Sequence, residues 1–283
     1  MEKYNDPKFK KIVPKVAVVI SSFIGGIQYY GHSYSENKLD SLKLNLSAHK
    51  HFDSGVDYDL FVINNGSTNN EGKKFHNEIG SLNRENEGYS FGGWKWAWEQ
   101  LKDKGYMFFL FTEDDIAPCK DKWLSEIVNK FFSEPEVGAV GSFIEVHSKG
   151  YNEFIDSVCD CAERNPLVHF DGAFTFTSAN ILRQVDEIGG LLVLDSGTNH
   201  SLGVRNELLF QTKILELGYS LVDFKDGNHF VVHGSEIFSN DIKYRNGEIE
   251  PLLNVNGIKF VPEIKEAFNW YSNSSEIKEL KKI

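Results

Sequence analysis

No apolar run in this sequence approaches the roughly 20 residues needed to cross a bilayer, and the opening stretch "MEKYNDPKFKKIVPK" has no apolar leader segment. Both absences lead us to expect a cytoplasmic protein without a transmembrane segment; attachment to the inner face of a membrane stays open. Lys/Arg runs are missing as well, and a formal net charge of -11 cannot neutralise a phosphate backbone, so nucleic acid is not an expected partner. Cysteine is scarce. Cys119, Cys159 and Cys161 form an odd set with only a C-x-C pair close together, which is neither a disulfide framework nor zinc-finger spacing. No G-x-S-x-G elbow, P-loop, H-E-x-x-H or G-x-G-x-x-G is present, which argues against lipase-type hydrolases, P-loop kinases, zincins and dehydrogenase-type dinucleotide folds. What remains is ordinary for a globular protein: 283 residues, 41% apolar and 25% charged, enough chain for a sizeable core.

Continuous apolar runs predict strands buried on both faces: "KVAVVISSF" (15–23), "YDLFVI" (58–63), "YMFFLF" (106–111) and a short "VGAVGSF". Between them lie helical patterns. Leu39, Leu42 and Leu46 mark one. Phe91, Trp94, Trp98 and Leu101 form a stripe with Lys95, Glu99 and Lys102 opposite. Asp121 reads as the cap of a helix whose stripe is Leu124, Ile127, Val128 and Phe131. "VHFDGAFTFT" alternates as one strand, with Phe170, Phe174 and Phe176 on one face and Asp171 on the other. Ser178 caps the following helix, and Gly189 and Gly190 stop it. "NELLFQTKILELG" is a further helix, followed by "YSLVDF" and "NHFVVHGSE". The alternation predicts an α/β fold with a mainly parallel central sheet flanked by helices, over residues 1–236. Residues 237–283 form a polar, partly helical C-terminal extension.

In such sheets ligands bind beyond the carboxyl ends of the strands. The loops "SSFIGG", "NNGSTNN" and "TEDDIAP" all fall there. The third places Glu113, Asp114 and Asp115 side by side, although adjacent carboxylates repel and resist leaving water. Either the cluster is a solvated turn or something positive belongs there, and a hard divalent cation is the simplest candidate. In an extended segment Glu113 and Asp115 project together while Asp114 turns away. "NNGSTNN" offers amide and hydroxyl groups to a ribose, base edge or phosphate, and is equally an ordinary turn and helix start. "NEGYSFGG" leads into a helix N-terminus suited to an anion. Glu207 reads as a first-turn glutamate, held ionised by the helix dipole and able to act as a general base, or else as a helix-start residue. His233 reads as a metal ligand or phosphate contact, or as a structural histidine. Trp96, off the tryptophan stripe, is either a stacking surface or partly buried packing.

Taken in order, "VAVVISSF", "VINNGSTN", "NEGYSFGGWKWA", "TEDDIAP", "DGAFTFTSANILRQVDEIGG" and "NELLFQTKILELGY" resemble the inverting family 2 glycosyltransferases of GT-A fold, in particular the bacterial rhamnosyltransferase-like members. The resemblance runs from about residue 15 to 235. It implies a Rossmann-like nucleotide-binding half and an acceptor-binding half. It also implies a role in polysaccharide or glycan synthesis, with a nucleotide-diphosphate sugar as donor and a glycan or lipid-linked acceptor. The family's V-D-N-G-S-T-D turn falls on Ile63 to Asn69, with Asn64 at the base-binding aspartate, and its N-x-G segment falls on Asn86 and Gly88. The donor side so implied comprises Ser22, Asn64, Asn65, Gly66, Ser67, Asn86, Gly88, Gly92 and Asp114. Glu113, Asp115 and His233 would hold Mn²⁺ or Mg²⁺, with Asp115 the more secure ligand because a glutamate stands first in the family's D-x-D. The family's E-D pair, whose aspartate is the base, falls on Asn206 and Glu207, and Asp171 and Trp96 lie on the acceptor side. Two alternatives stand beside this reading: a sugar nucleotidyltransferase, and a non-catalytic sugar- or nucleotide-binding protein derived from this fold.

Overall fold

Val16 to Ser22 is buried along its whole length, as a strand must be when helices cover both faces of its sheet. The computed structural model describes residues 15–25, 28–29, 32–33, 38–114, 116–118, 121–141, 144–147, 167–170, 174–191, 200–223 and 231–233. In chain order these form β1 (Val16–Ser22), β2 (Gln28–Tyr29), β3 (His32–Ser33), α1 (Lys38–His51), β4 (Tyr58–Asn65), α2 (Asn70–Glu78) and β5 (Leu82–Arg84). Then come α3 (Tyr89–Leu101), β6 (Phe108–Glu113), β7 (Ile116–Pro118), α4 (Trp123–Phe131), β8 (Val137–Gly141), β9 (Ile144–His147) and β10 (Leu167–Phe170). The last are β11 (Phe174–Ser178), α5 (Ala179–Glu187), α6 (His200–Glu216), β12 (Ser220–Asp223) and β13 (Val231–His233).

Seven strands form the central sheet in the order β12-β8-β11-β6-β1-β4-β5. Every neighbour pair is parallel except the two made by β11, which runs antiparallel to both β6 and β8. The expected α/β architecture with a mainly parallel sheet is therefore present.

Aromatic side chains pack both faces of β6. On one face Trp94 stacks on Phe111, with ring centroids 5.8 Å apart, and donates its indole N–H to the Thr112 carbonyl at 3.0 Å. On the other, Phe108 stacks on Phe176 of β11 at 5.4 Å. Trp98 and Trp123 are fully buried, each removing a large apolar area from water. The stripes of α3 and α4 face inward as the sequence periodicity predicts. Ser178 caps α5 by accepting from the Ile181 N–H at 3.2 Å, and Gly189 takes a left-handed φ of +77° after the helix ends.

Several local expectations change. Asp121 does not cap α4: Lys122 occupies the cap position in a left-handed conformation with no side-chain cap, and Asp121 instead accepts from the Asp53 N–H at 2.9 Å. The segment expected as one strand through Asp171 is two strands, β10 pairing with β9 and β11 entering the central sheet. Helix α2 and strand β5 were not marked by the sequence pattern. The first is polar with only Gly72 and His76 buried, and the second is three residues long. The tail 237–283 and its expected helix lie outside the described residues.

Candidate functional site

Strand register brings the three loop tips together. Ser22 lies opposite Asn64, Ser21 lies opposite both Ile63 and Glu113, and Asn65 lies opposite Arg84. The carboxyl edge of four adjacent strands thus presents two serines, two asparagines, an arginine and a glutamate. These polar groups support one another. Asn65 donates to Ser21 Oγ at 2.5 Å and accepts from Arg84 Nη1 at 2.8 Å; Arg84 Nη2 also donates to the Glu87 carbonyl at 2.9 Å. Burial lowers the Arg84 pKa, against the opposing pull of Glu87 and Glu99. Asn64 accepts from the Ser67 N–H at 2.9 Å and donates to Asn83 at 2.8 Å, so the side chain expected at the base shapes the turn. Gly66 sits at φ +67°, and Ser67 Oγ accepts from the Ile24 N–H at 2.9 Å, tying the first two loops together.

From β5 the chain enters α3 through Asn86 and Gly88. The Asn86 side-chain oxygen is buried without a hydrogen-bond partner among the described residues, an arrangement that costs roughly 1–3 kcal/mol until a donor arrives. Gly88 adopts φ +73° at the start of the helix. Gly92 is demanded by contact: a Cβ there would lie 1.7 Å from the Glu87 carbonyl oxygen.

Glu113 and Asp114 of the acidic turn are not splayed into solvent. Asp114, expected on the donor side, points inward and is only 2% exposed. One of its oxygens lies 2.8 Å from Lys38 Nζ; the other accepts from Ser22 Oγ at 2.8 Å and the Phe23 N–H at 3.3 Å. Part of the positive charge that the acids call for is therefore supplied by the protein itself. Asn45 of α1 clamps the same turn, donating to the carbonyls of Glu113 at 3.1 Å and Ile116 at 2.6 Å. Glu113 is half-buried at the end of β6. Asp115 lies outside the described residues. β13 pairs antiparallel with β7 so that His233 falls opposite Ile116, next in sequence to Asp115. Among the described residues no group of three His, Cys, Asp or Glu side chains is assembled as a metal cage.

His76 of α2, fully buried, stands behind β1. Its Nε2 is 3.5 Å from Ser22 Oγ and its Nδ1 is 2.9 Å from Ser81 Oγ. Because Ser22 gives its proton to Asp114, Nε2 carries the ring hydrogen and Nδ1 accepts from Ser81. Burial lowers His76 to about 4 and, between the rings of Tyr58 and Trp123, His49 to about 3. Both imidazoles are neutral in the fold and ordinary, near 6.5, once unfolded. The unfolded chain therefore binds more protons below pH 6.5. The contribution of these two rings should be flat above that pH and fall as pH drops from 6.5 toward 4, by up to about 1.4 kcal/mol per pH unit for each ring. Equal urea midpoints at pH 7 and pH 4.5 would contradict this.

Glu207 is not in a first turn, because α6 begins at His200, nearly two turns earlier. The dipole effect, confined to a helix's first turn, does not reach it. Glu207 is half-buried beside fully buried Asn206. Helix α6 runs back toward β12, which is parallel to β8, so its N-terminal half lies toward the strands' carboxyl edge. Phe210, one turn beyond Glu207, packs on Phe91 in the first turn of α3 at 5.9 Å. Trp96 is half-buried against the core. Asp171 lies outside the described residues, as does the side chain of His233. A cavity of about 10 Å³ lined by Phe91, Trp94, Trp98 and Phe210 admits about one water and no sugar. Lys38, Asn45, His76 and Arg84 escaped the sequence reading. The one available signal was that Lys38, Asn45 and His49 share the inward face of α1 with Leu42, polar positions within an apolar stripe.

The chain matches no protein-family model and no curated protein. Solved structures similar to it include a cytidylyltransferase from Leptospira borgpetersenii serovar Hardjo-bovis, at 9% identity over 93% of this chain and 97% of that one, TM-score 0.46. A second is glucosyl-3-phosphoglycerate synthase from Mycobacterium tuberculosis in complex with Mn²⁺ and UDP-glucose, at 15% identity over 78% and 71%, TM-score 0.43. A third is CMP:2-keto-3-deoxy-manno-octonic acid synthetase complexed with CTP, at 9% identity over 74% and 89%, TM-score 0.43.

Proposed function

We propose that this chain is a metal-dependent inverting glycosyltransferase. It moves a sugar from a nucleoside-diphosphate sugar to an acceptor hydroxyl on a glycan or lipid-linked glycan, in the synthesis of a polysaccharide or related glycan. The reading rests on one observation. The carboxyl edge of β1, β4, β5 and β6 gathers Ser22, Asn64, Asn65, Arg84 and Glu113, and Asp114 ties the acidic turn to the first loop. Asn86 adds a buried acceptor without a partner among the described residues, suited to a donor hydroxyl or base N–H.

We assign the roles as follows. Asn64, Asn65, Gly66 and Ser67 shape the wall against which the nucleoside rests, with Ser22 beside them. Asn86, Gly88 and Gly92 let the chain approach it closely at the entry to α3. Glu113, Asp115 and His233 supply hard oxygen and imidazole ligands. The pairing of His233 with Ile116 brings the third candidate's backbone to the acidic turn, which favours a Mn²⁺ or Mg²⁺ ion there. Such an ion, when bound, offsets the charge that gathers on the departing diphosphate. Glu207 takes the acceptor hydroxyl's proton. The hydroxyl oxygen bonds to the anomeric carbon as the bond from that carbon to the phosphate oxygen breaks on the opposite face, inverting the configuration. Asp171 and Trp96 border the acceptor.

Incubation with a panel of nucleotide sugars and Mn²⁺ should release nucleoside diphosphate from one donor, and excess chelator should stop it. A specific observation favours one rival, a nucleotidyltransferase: Lys38 places a cation beside the loop after β1, where the sequence of that loop has none. Release of pyrophosphate from a nucleoside triphosphate and a free sugar would establish that rival; binding of sugar without turnover would establish a binding module. Glu207→Gln should lower transfer about 10²- to 10⁴-fold with donor binding largely intact, read by separate kcat and donor Kd measurements. Unchanged transfer would exclude Glu207 as the base.

A further inference from the structure

We infer that the nucleotide taken by this site carries an amino base, cytosine or adenine, whose pairing edge sets a ring-nitrogen acceptor beside an exocyclic amine. The inference rests on the reading above that residues 64–67 and Asn86 wall the nucleoside, and it adds the identity of the base.

The orientation of one carboxamide carries the argument. Asn64 is 7% exposed near the end of β4, and its Oδ1 accepts from the Ser67 N–H at 2.9 Å in a buried bond. Only the amide oxygen can accept there, so the Ser67 N–H fixes which side of the group is nitrogen. The nitrogen lies on the more open side. Nδ2 donates to Asn83 Oδ1 at 2.8 Å in a part-buried bond, and Asn83 is exposed. Nδ2 carries two hydrogens and Asn83 takes one, which leaves one for a ligand. An aspartate at this position would offer an acceptor instead. Uracil, thymine and guanine each carry an N–H at the ring nitrogen of the pairing edge, and against Asn64 that hydrogen would meet another donor. Cytosine N3 and adenine N1 are acceptors and complete the bond.

The neighbouring segment supplies the other half. The turn after β4 and the segment after β5 meet closely: a Cβ on Gly66 would lie 3.3 Å from the Asn86 backbone nitrogen. The Asn86 side-chain oxygen is buried without a hydrogen-bond partner among the described residues, so it calls for a donor. The exocyclic amine of cytosine or adenine is one. Uracil and thymine have only carbonyls flanking their ring N–H, and would leave Asn86 unpaired. Donor at Asn64 and acceptor at Asn86 together match an amino base.

The test is calorimetric titration of CDP, ADP, UDP and GDP, each with Mn²⁺, into the purified full chain. CDP or ADP should bind about tenfold or more tightly than UDP and GDP, the factor for one buried donor left facing another. Either order between CDP and ADP supports the inference and tells a single-ring slot from a double-ring one. Asn64→Asp keeps an oxygen for the Ser67 N–H, and the exposed Asn83 amide can turn to donate to it, so this variant should fold as wild type does. It should reverse the preference, with UDP or GDP binding more tightly than CDP and ADP. Asn86→Leu should weaken the preferred nucleotide about tenfold and leave UDP unchanged. A wild-type protein that binds UDP or GDP as tightly as it binds the better of CDP and ADP, or an Asn64→Asp protein that keeps the wild-type order, overturns the inference alone. Absence of binding by all four nucleotides overturns it together with the donor-binding reading.

Discussion

Asp115→Asn is expected to lower donor turnover by about 10³-fold while moving the thermal midpoint little. The loss follows from its place in the proposed ligand set: one fewer anionic oxygen weakens the site, and the leaving diphosphate then develops its charge with less opposing it. The small effect on stability follows from electrostatics. Glu113, Asp114 and Asp115 are consecutive, and removing one of several repelling charges does not weaken the fold. Steady-state kinetics with nucleoside diphosphate release, set beside a melting curve of the same preparation, separates the two effects. Unfolding of the variant would make the residue structural, and unchanged turnover would remove it from the site.

Gly92→Ala is expected to cost more than about 3 kcal/mol of stability, beyond the usual range for added bulk in a packed region. The added methyl would meet the Glu87 carbonyl oxygen at 1.7 Å and its carbon at 2.9 Å, and both are backbone atoms that cannot swing aside. The Glu87 carbonyl also accepts from Arg84, so relieving the clash would disturb Arg84, Asn65 and the Ser21 hydroxyl in turn. Donor affinity should fall with stability. Gly80→Ala is the control: it has open space around its Cβ and a left-handed φ of +69°, so only the backbone penalty of about 1–2 kcal/mol applies. Urea denaturation of the two variants side by side should place Gly92→Ala well below Gly80→Ala, and the reverse order would contradict the close approach at α3.

The sequence carried the frame of this fold because the frame is made by local patterns. Continuous apolar runs gave β1, β4 and β6, although β4 is half-buried over most of its length where burial on both faces was expected, and the 3.6-residue stripes of α3 and α4 bury the side chains they select. The convergence of the three loops also followed from strand alternation alone, and the register of Ser22 with Asn64 and of Ser21 with Glu113 agrees with it. Pairings between distant segments were not legible. Lys38 and Asp114 are 76 residues apart, and no local pattern says that a helix-start lysine will lie against a strand-end aspartate. The start of α6 was misjudged because the residues before Asn206, "HSLGVR", lack the apolar stripe that marks the rest of the helix. Asp121 had the right chemistry for a cap and was taken by the Asp53 backbone instead, a case of tertiary contact overriding local preference.

Anomalous diffraction from a crystal soaked with Mn²⁺ and a nucleoside diphosphate tests the central claim most directly. The expected result is one Mn²⁺ at the end of β6, bound by Asp115 with Glu113 or His233, bridging to the diphosphate, while Asp114 stays on Lys38. A nucleotide seated away from the carboxyl edge of β1, β4 and β6, or a metal touching none of those three side chains, would contradict it.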